Sequence, residues 1–332
     1  MLLERQGPIG SHPLRLAEIP DPVPGPDEIL VRVAACGVCR TDLHIVEGDL
    51  PARRLPLVPG HQVVGTVAAV GEGCERFRIG DRAGIAWLRG TCGVCAFCRS
   101  GSENLCEQSR YTGWHEDGGY AEYAVVPEAY AYPLPAALDD EAAAPLLCAG
   151  IIGYRALTRS EVPSGGRLAL FGFGSSAHLV LQLALSRGCE VFVATRGQRH
   201  RALARELGAA WVGDTFDPAP ALADGAIVFA PAGEVVPAAL RAVRHAGTVV
   251  LAGVTMTPVP GLDYETCLFH EKKLTSVEAN TRADGEALFR EAATARIRPR
   301  TRTFRLDEAN EVLRRLSQDR VEGTAILAIG GA

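Results

Sequence analysis

The sequence predicts an α/β chain in two parts: a β-rich half, then a doubly wound parallel sheet. Three observations predict it. Short apolar runs alternate with turn residues through the first ninety positions, at the spacing of a β-barrel-type unit. From about residue 150, strand-like and helix-like segments alternate, as in a parallel sheet covered on both faces. Between them RLALFGFGSSAHLVLQLALSRGCEVFVATR, residues 167–196, puts a glycine-rich turn after a strand and before an amphipathic helix.

The chain has 332 residues, enough for about two domains, and is 47% hydrophobic and 22% charged, as soluble globular proteins are. Its formal net charge is −5 and no basic run stands out, which argues against nucleic acid as a partner. The N-terminus lacks the apolar core of a signal peptide, and no apolar run approaches the roughly 20 residues that span a bilayer. The expectation is a cytoplasmic protein with no membrane partner. Its ten cysteines then read as metal ligands or buried thiols rather than a disulfide framework.

In the first half, EILVRVAACGV, HQVVGTVAAVGEG and DRAGIAWL read as strands separated by PDPVPGPDE, LPLVPG and turns at Gly71 and Gly80. CGVCRTDLH, residues 36–44, and PGHQVVG, residues 59–65, lie among them. Cys36 and Cys39 form a C-x2-C that reads either as a thiol pair or as part of a zinc set with His61. Four more cysteines follow: Cys92, Cys95, Cys98 and Cys106, spaced C-x2-C-x2-C-x7-C. Four thiolates this close suit one tetrahedral zinc ion; disulfides would need an oxidising compartment, and iron–sulfur spacings differ. Four protein ligands leave zinc no open position, so this site is expected to be structural.

In the second half Gly172, Gly174 and Ala177 give G-x-G-x-x-A in the context a dinucleotide requires. Gly172 allows the tight turn, Gly174 lets a pyrophosphate approach, and Ala177 keeps helix and strand close. The amides of Ser175 and Ser176 open the helix and attract phosphate. The second strand ends in Ala194, Thr195 and Arg196, with Arg199 and Arg201 behind, and no carboxylate stands there for a ribose diol. That pattern favours NADP(H) over NAD(H). GAAWVGD, GAIVFA, GTVVLAGV and KLTSVEAN read as further strands and HRALAREL as a helix between them. Near the end ADGEALFREAATA and LDEANEVLRRLSQ read as helices and GTAILAI as a closing strand.

CGVCRTDLH, then PGHxxxG, then the four-cysteine lobe, then LLCAGIIGYRAL at 146–157, resemble in order and spacing the zinc-dependent medium-chain alcohol dehydrogenases. The resemblance implies a GroES-like β-barrel-type catalytic domain over 1–149 with the lobe at 92–106. A Rossmann domain over 150–282 and a C-terminal return over 283–332 follow, with the active site in the cleft between domains. It implies a catalytic zinc on Cys39, His61 and Cys148 with the fourth position left to the substrate oxygen, hence two zinc ions per chain. It gives Thr41 and His44 a proton relay, Asp42 a hydrogen bond to the ligating histidine, and Arg40 the cofactor pyrophosphate. Trp87 falls where the family lines its substrate pocket, and Val254 beside the nicotinamide. Cys36, Cys74, Cys189 and Cys267 are left as buried thiols.

Three positions depart from the family's usual pattern: Gln62 where Glu follows the ligand histidine, Ile152 where Thr is common, and Thr324 where an Arg meets the pyrophosphate. The implied activity is reversible hydride transfer between a primary or secondary alcohol and NAD(P)+. Alternatives on the same fold are a polyol or formaldehyde-type zinc dehydrogenase and a non-catalytic NADP(H)-binding redox sensor. The expected partners are a small alcohol or aldehyde and further copies of the chain, as dimer or tetramer.

Overall fold

The computed structural model describes residues 1–295, 297–321 and 323–330, which fall into two compact units. The first comprises Met1–Cys148, Thr281–Ala293 and Arg298–Ala332, the second Ala149–Asn280 and Thr294–Ile297.

The first unit is built on the strand Glu28–Val38. Its alternating Ile29, Val31 and Val33 point into the core, as the two-residue period of a strand requires. One edge pairs antiparallel with Gln62–Val70; the other pairs first with Tyr123–Pro127 and further along with Thr324–Ala328. Register shifts at Leu30/Val31 and Val33/Ala35 mark where the strand bends to serve both partners. Arg82–Ile85 and Ala131–Pro133 extend the sheet. One strand the sequence pattern did not announce is Thr301–Arg305, which pairs parallel with Thr324–Ala328. Only Phe304 of its TRTFR is buried, so the run lacks the apolar alternation of a strand.

The sequence pattern does not announce the helix Arg40–Glu47 either; it follows the long strand directly and carries Thr41, Asp42 and His44. The segment is eight residues long and owes its start to its cap rather than to propensity.

The second unit holds a six-stranded, all-parallel sheet. Across it run Trp211–Gly213, Glu190–Ala194, Arg167–Phe171, Ala223–Val228, Val243–Leu251 and Lys273–Ser276. In order along the chain this is 3-2-1-4-5-6, the order of a doubly wound dinucleotide fold. Leu168, Leu170, Val191, Val193, Ile227, Val228, Val249 and Val250 are buried, as both faces of a covered parallel sheet should be. One crossover differs from the expected alternation. The third and fourth strands are joined by residues 214–222 without a helix, and a cavity of about 280 Å³ remains against Phe171, Phe192 and Trp211.

Cys36, Cys189 and Cys267 are buried as expected; Cys74 is only partly so. No helix among the described residues is long and apolar enough to cross a membrane.

Candidate metal centre

The long strand delivers Cys39 to the N-cap of the helix Arg40–Glu47. There its sulfur accepts the Thr41 N–H at 3.3 Å, while Asp42 Oδ2 accepts the Cys39 N–H at 2.8 Å. This reciprocal cap satisfies two amides that a helix start otherwise leaves open. It also fixes Asp42, fully buried, with its other oxygen 3.0 Å from His61 Nδ1. An ionised carboxylate at Nδ1 holds the proton there and turns Nε2 outward as the free donor atom.

His61 is held by the turn before it. Gly60 has φ +99°, and a Cβ on it would stand 2.4 Å from the Tyr120 ring. Only glycine allows the chain to pass there, and His61, 1% exposed, then leads into Gln62–Val70.

Cys148 comes from a different kind of element. The helix Asp140–Pro145 ends in a proline and gives way to a π-helical turn over Leu146–Gly150, which carries the cysteine. His61 Nε2 lies 3.3 Å from Cys39 Sγ and 3.4 Å from Cys148 Sγ, and the two sulfurs are 4.0 Å apart. Around a tetrahedral zinc, sulfur and nitrogen ligands sit roughly 3.5 Å apart and two sulfurs roughly 3.8 Å. Three donors therefore stand at zinc spacing, and no fourth His, Cys, Asp or Glu donor joins them among the described residues. The hydrogen bond from Cys148 holds the Cys39 thiol well below its ordinary value and pushes Cys148 up. Burial opposes a charge on His61, but Asp42 and Cys39 outweigh it and raise the imidazole.

The second cluster brings Cys92, Cys95, Cys98 and Cys106 together, with their sulfurs within 4.8 Å of one another. Backbone amides support them: Cys95 N–H to Cys92 Sγ at 3.3 Å, Cys98 N–H to Cys95 Sγ at 3.5 Å, Cys92 N–H to Cys106 Sγ at 3.4 Å. Amides of Val94 and Cys95 hold the Cys92 thiol down to about 6. No disulfide joins any of the cysteines among the described residues.

Around the three-donor site, His44 Nδ1 lies 2.7 Å from Asp49 Oδ2. Trp87 meets the His61 ring edge-on, centroids 5.0 Å apart. Beyond it lies Tyr111, 4.8 Å from Trp87 and near-parallel to it; nothing in its sequence context separates it from a core tyrosine. Gln62, next to His61, is 1% exposed, and neither atom of its amide has a hydrogen-bond partner among the described residues. Arg40 is exposed and paired with Asp319.

In the second unit Gly172 has φ +87°, and a Cβ there would press within 2.8 Å of the Ala230 amide. Gly174 caps the helix Ser175–Ser186 and has open space where a Cβ would go; Ala177 is fully buried. Thr195 is buried, with its N–H donating to Gly213 O at 3.1 Å. Arg196 is exposed. Arg201 donates to the carbonyls of Thr195 and Arg196 and pairs with Asp214. Asp214, from the end of the third strand, is thus a carboxylate that the local sequence gave no sign of. Val254 is 81% exposed.

The chain is similar to known proteins over most of its length. Residues 25–136 match the family described as "Alcohol dehydrogenase GroES-like domain", and residues 176–294 match "Zinc-binding dehydrogenase". The "Probable alcohol dehydrogenase AdhA" of Mycobacterium tuberculosis is 52% identical over 332 residues, covering 98% of this chain and 96% of that one. An "Alcohol dehydrogenase" of Geobacillus stearothermophilus is 36% identical over 325 residues, covering 95% and 96%. Among solved structures, a cobalt- and zinc-bound thermostable alcohol dehydrogenase from Pyrobaculum aerophilum superposes with a TM-score of 0.86 at 25% identity, covering 98% of each chain.

Proposed function

The chain belongs to the zinc-dependent medium-chain alcohol dehydrogenase family, and on that premise we propose that Cys39, His61 and Cys148 hold its catalytic zinc. The observation that carries this is the trio itself: three donors at zinc spacing, with one position left over. Cys92, Cys95, Cys98 and Cys106 hold a second, structural zinc, giving two per chain. Zinc and a nicotinamide cofactor supply the chemistry when bound: the metal acidifies the alcohol hydroxyl or polarises the carbonyl, and the cofactor exchanges hydride.

The chain's own residues do the rest. Asp42 keeps the His61 proton on Nδ1 and so keeps Nε2 directed at the metal position. The Thr41 hydroxyl and the His44 imidazole carry the alcohol proton outward, and Asp49 fixes the His44 ring by its hydrogen bond. Trp87 walls the pocket beside His61. Gln62 adds no charge beside the ligand histidine.

Gly172, Gly174, Ser175, Ser176 and Ala177 receive the pyrophosphate at a helix start, supported by the open space over Gly174. Arg40, exposed and paired with Asp319, is the further cation we assign to the pyrophosphate. Val254, through its backbone, borders the nicotinamide. Arg196 and Thr195 take a 2′-phosphate, so NADP(H) is favoured over NAD(H); Asp214 does not offset this, because Arg201 occupies it. The reaction is reversible exchange between a primary or secondary alcohol and its carbonyl compound.

A panel of alcohols and aldehydes run with both cofactors, alongside metal analysis, tests the proposal. Two zinc ions per chain and turnover with NADP(H) preferred are expected. A tenfold or larger preference for NAD(H) would sink the cofactor assignment, and zinc-loaded protein without turnover would sink the catalytic one.

A further inference from the structure

A cavity of about 410 Å³ opens in the first unit at the root of the four-cysteine lobe, and none of Cys39, His61 and Cys148 lines it. The short antiparallel pair Leu88–Gly90 and Arg110–Tyr111 brings Arg89 and Arg110 to it. Glu28, Gln108 and Glu116 stand on the same wall. Arg89 is 7% exposed, and a guanidinium that deep needs its five N–H donors answered. The protein answers few of them. Nη1 donates to Val125 O at 3.1 Å, while Glu28 Oε1 stands 3.6 Å from Nη2, beyond hydrogen-bond distance. Nε and Nη2 have no acceptor among the described residues, yet neither is sealed off from solvent, so both reach the cavity.

The carboxylates nearby are committed elsewhere. Glu28 Oε2 accepts the Gly25 amide at 3.0 Å. Glu116 is shared by Arg54 and Arg110, and Asp117 is held by Arg54 and by the Val58 amide. Burial, joined by the like charges of Arg110 and Arg54, outweighs Glu28 and brings the Arg89 pKa down to about 10. A buried cation with spare donors therefore faces a cavity large enough for a ligand. A second guanidinium and the Gln108 carboxamide face it too.

We propose that this cavity is a phosphate site, taking free phosphate or the phosphate end of a small phosphomonoester on Arg89 and Arg110 where the lobe leaves the first unit. A phosphate group supplies what Arg89 lacks, a pair of acceptors matched to the fork of a guanidinium. Its other oxygens are left for Arg110 and Gln108. Three arginines and three carboxylates nearly balance around the cavity, so the attraction comes from spare donors rather than from a net field, and affinity should be roughly millimolar. The site stands apart from the zinc and cofactor assignments, and its test reads neither.

The test is thermal unfolding of the zinc-loaded full chain against added sodium phosphate, with sodium chloride at matched ionic strength, in wild type, Arg89→Met and Arg110→Gln. Phosphate excluded from the surface raises the melting temperature of every variant without levelling off, whereas binding at a site saturates. Wild type should gain about 2–4 °C over chloride, levelling off near roughly 10 mM phosphate. Arg89→Met keeps the reach of the side chain without its charge and should lose the saturating gain. If that buried change prevents folding, Arg110→Gln, at an exposed residue, decides: its half-effect should need about five- to tenfold more phosphate. Glycerol 3-phosphate separates the two sources. A half-effect at lower concentration than phosphate assigns the site to a phosphomonoester, and one at equal or higher concentration to the free ion. The proposal is overturned by a gain no larger than in chloride or one that never saturates. It is overturned equally by saturating gains of the same size and midpoint in wild type and variants, as phosphate held at the glycine turn would give.

Discussion

Cys39, His61 and Cys148 come from positions up to 109 residues apart and meet around a buried imidazole. Cys92, Cys95, Cys98 and Cys106 come from one stretch of fifteen residues and meet with only Cys106 buried. The first cluster exists only when the long strand, the Gly60 turn and the π-turn at Leu146–Gly150 are all in place. The second is gathered by a short loop whose own amides cradle the sulfurs. A locally gathered set can afford to saturate its ion and brace a loop. A set drawn from a whole folded unit can stop at three donors, because the unit rather than the metal holds the geometry, and the unfilled position is where chemistry can occur.

Changes to each cluster should therefore fail in different currencies. Cys148→Ser carries the largest expected effect: a loss of activity of about 1,000-fold or more and a fall from two zinc ions to one, with the melting temperature little moved. Turnover assays and metal analysis check it, and full activity in this variant refutes the site. Cys98→Ser should do the reverse. Loss of the lobe metal, at about 3 kcal/mol, would lower the melting temperature by roughly 6–12 °C. kcat/KM of the folded protein at 25 °C should stay within about twofold of wild type. Part of the lobe's anchoring survives in that variant: Glu103, 5% exposed, accepts hydrogen bonds from the Arg282 amide and its Nε at 3.0 and 3.2 Å. A Cys98→Ser protein that kept its melting temperature and lost its chemistry would erase the contrast between the clusters.

Asp42→Asn sharpens it. The variant keeps the shape of the cap but removes the charge that fixes His61. Zinc affinity at the three-donor site should drop about 10- to 100-fold, read by competition with a chelator, while the lobe zinc is retained. Unchanged affinity would mean the backbone alone orients the imidazole. Gln62→Met should do least. Its amide makes no hydrogen bond, so an apolar side chain of similar length should shift zinc affinity by less than about threefold and stability by less than about 1 kcal/mol. A larger change would assign Gln62 a contact with the ion.

The parts of this molecule legible in its sequence are those written in local patterns. The strands Glu28–Val38 and Gln62–Val70, the glycine turn before Ser175–Ser186 and the lobe each occupy one continuous run whose periodicity or spacing states what it forms. The strand Thr301–Arg305 was hidden because it sits at a sheet edge and buries a single side chain. The helix Arg40–Glu47 was hidden because its start is a cysteine cap, which no propensity scale favours. The missing crossover helix at residues 214–222 follows from how few residues join the third and fourth strands.

Residue types and spacings by themselves determined the two-part α/β architecture, the four-sulfur lobe, the dinucleotide turn and, through the family's motifs, the three candidate ligands. Tertiary structure alone decided what surrounds them. Asp214 reaching Arg201, Asp49 reaching His44, Tyr111 and Trp114 stacking with Trp87, and Arg53 lying over the Trp114 ring all depend on side chains brought together by the path of the chain. The physical reason is range. Hydrogen-bonded turns and periodic burial act over a few residues and leave a mark in the sequence. Contacts between distant segments are set by the packing of whole elements, and neither partner's local sequence records the other.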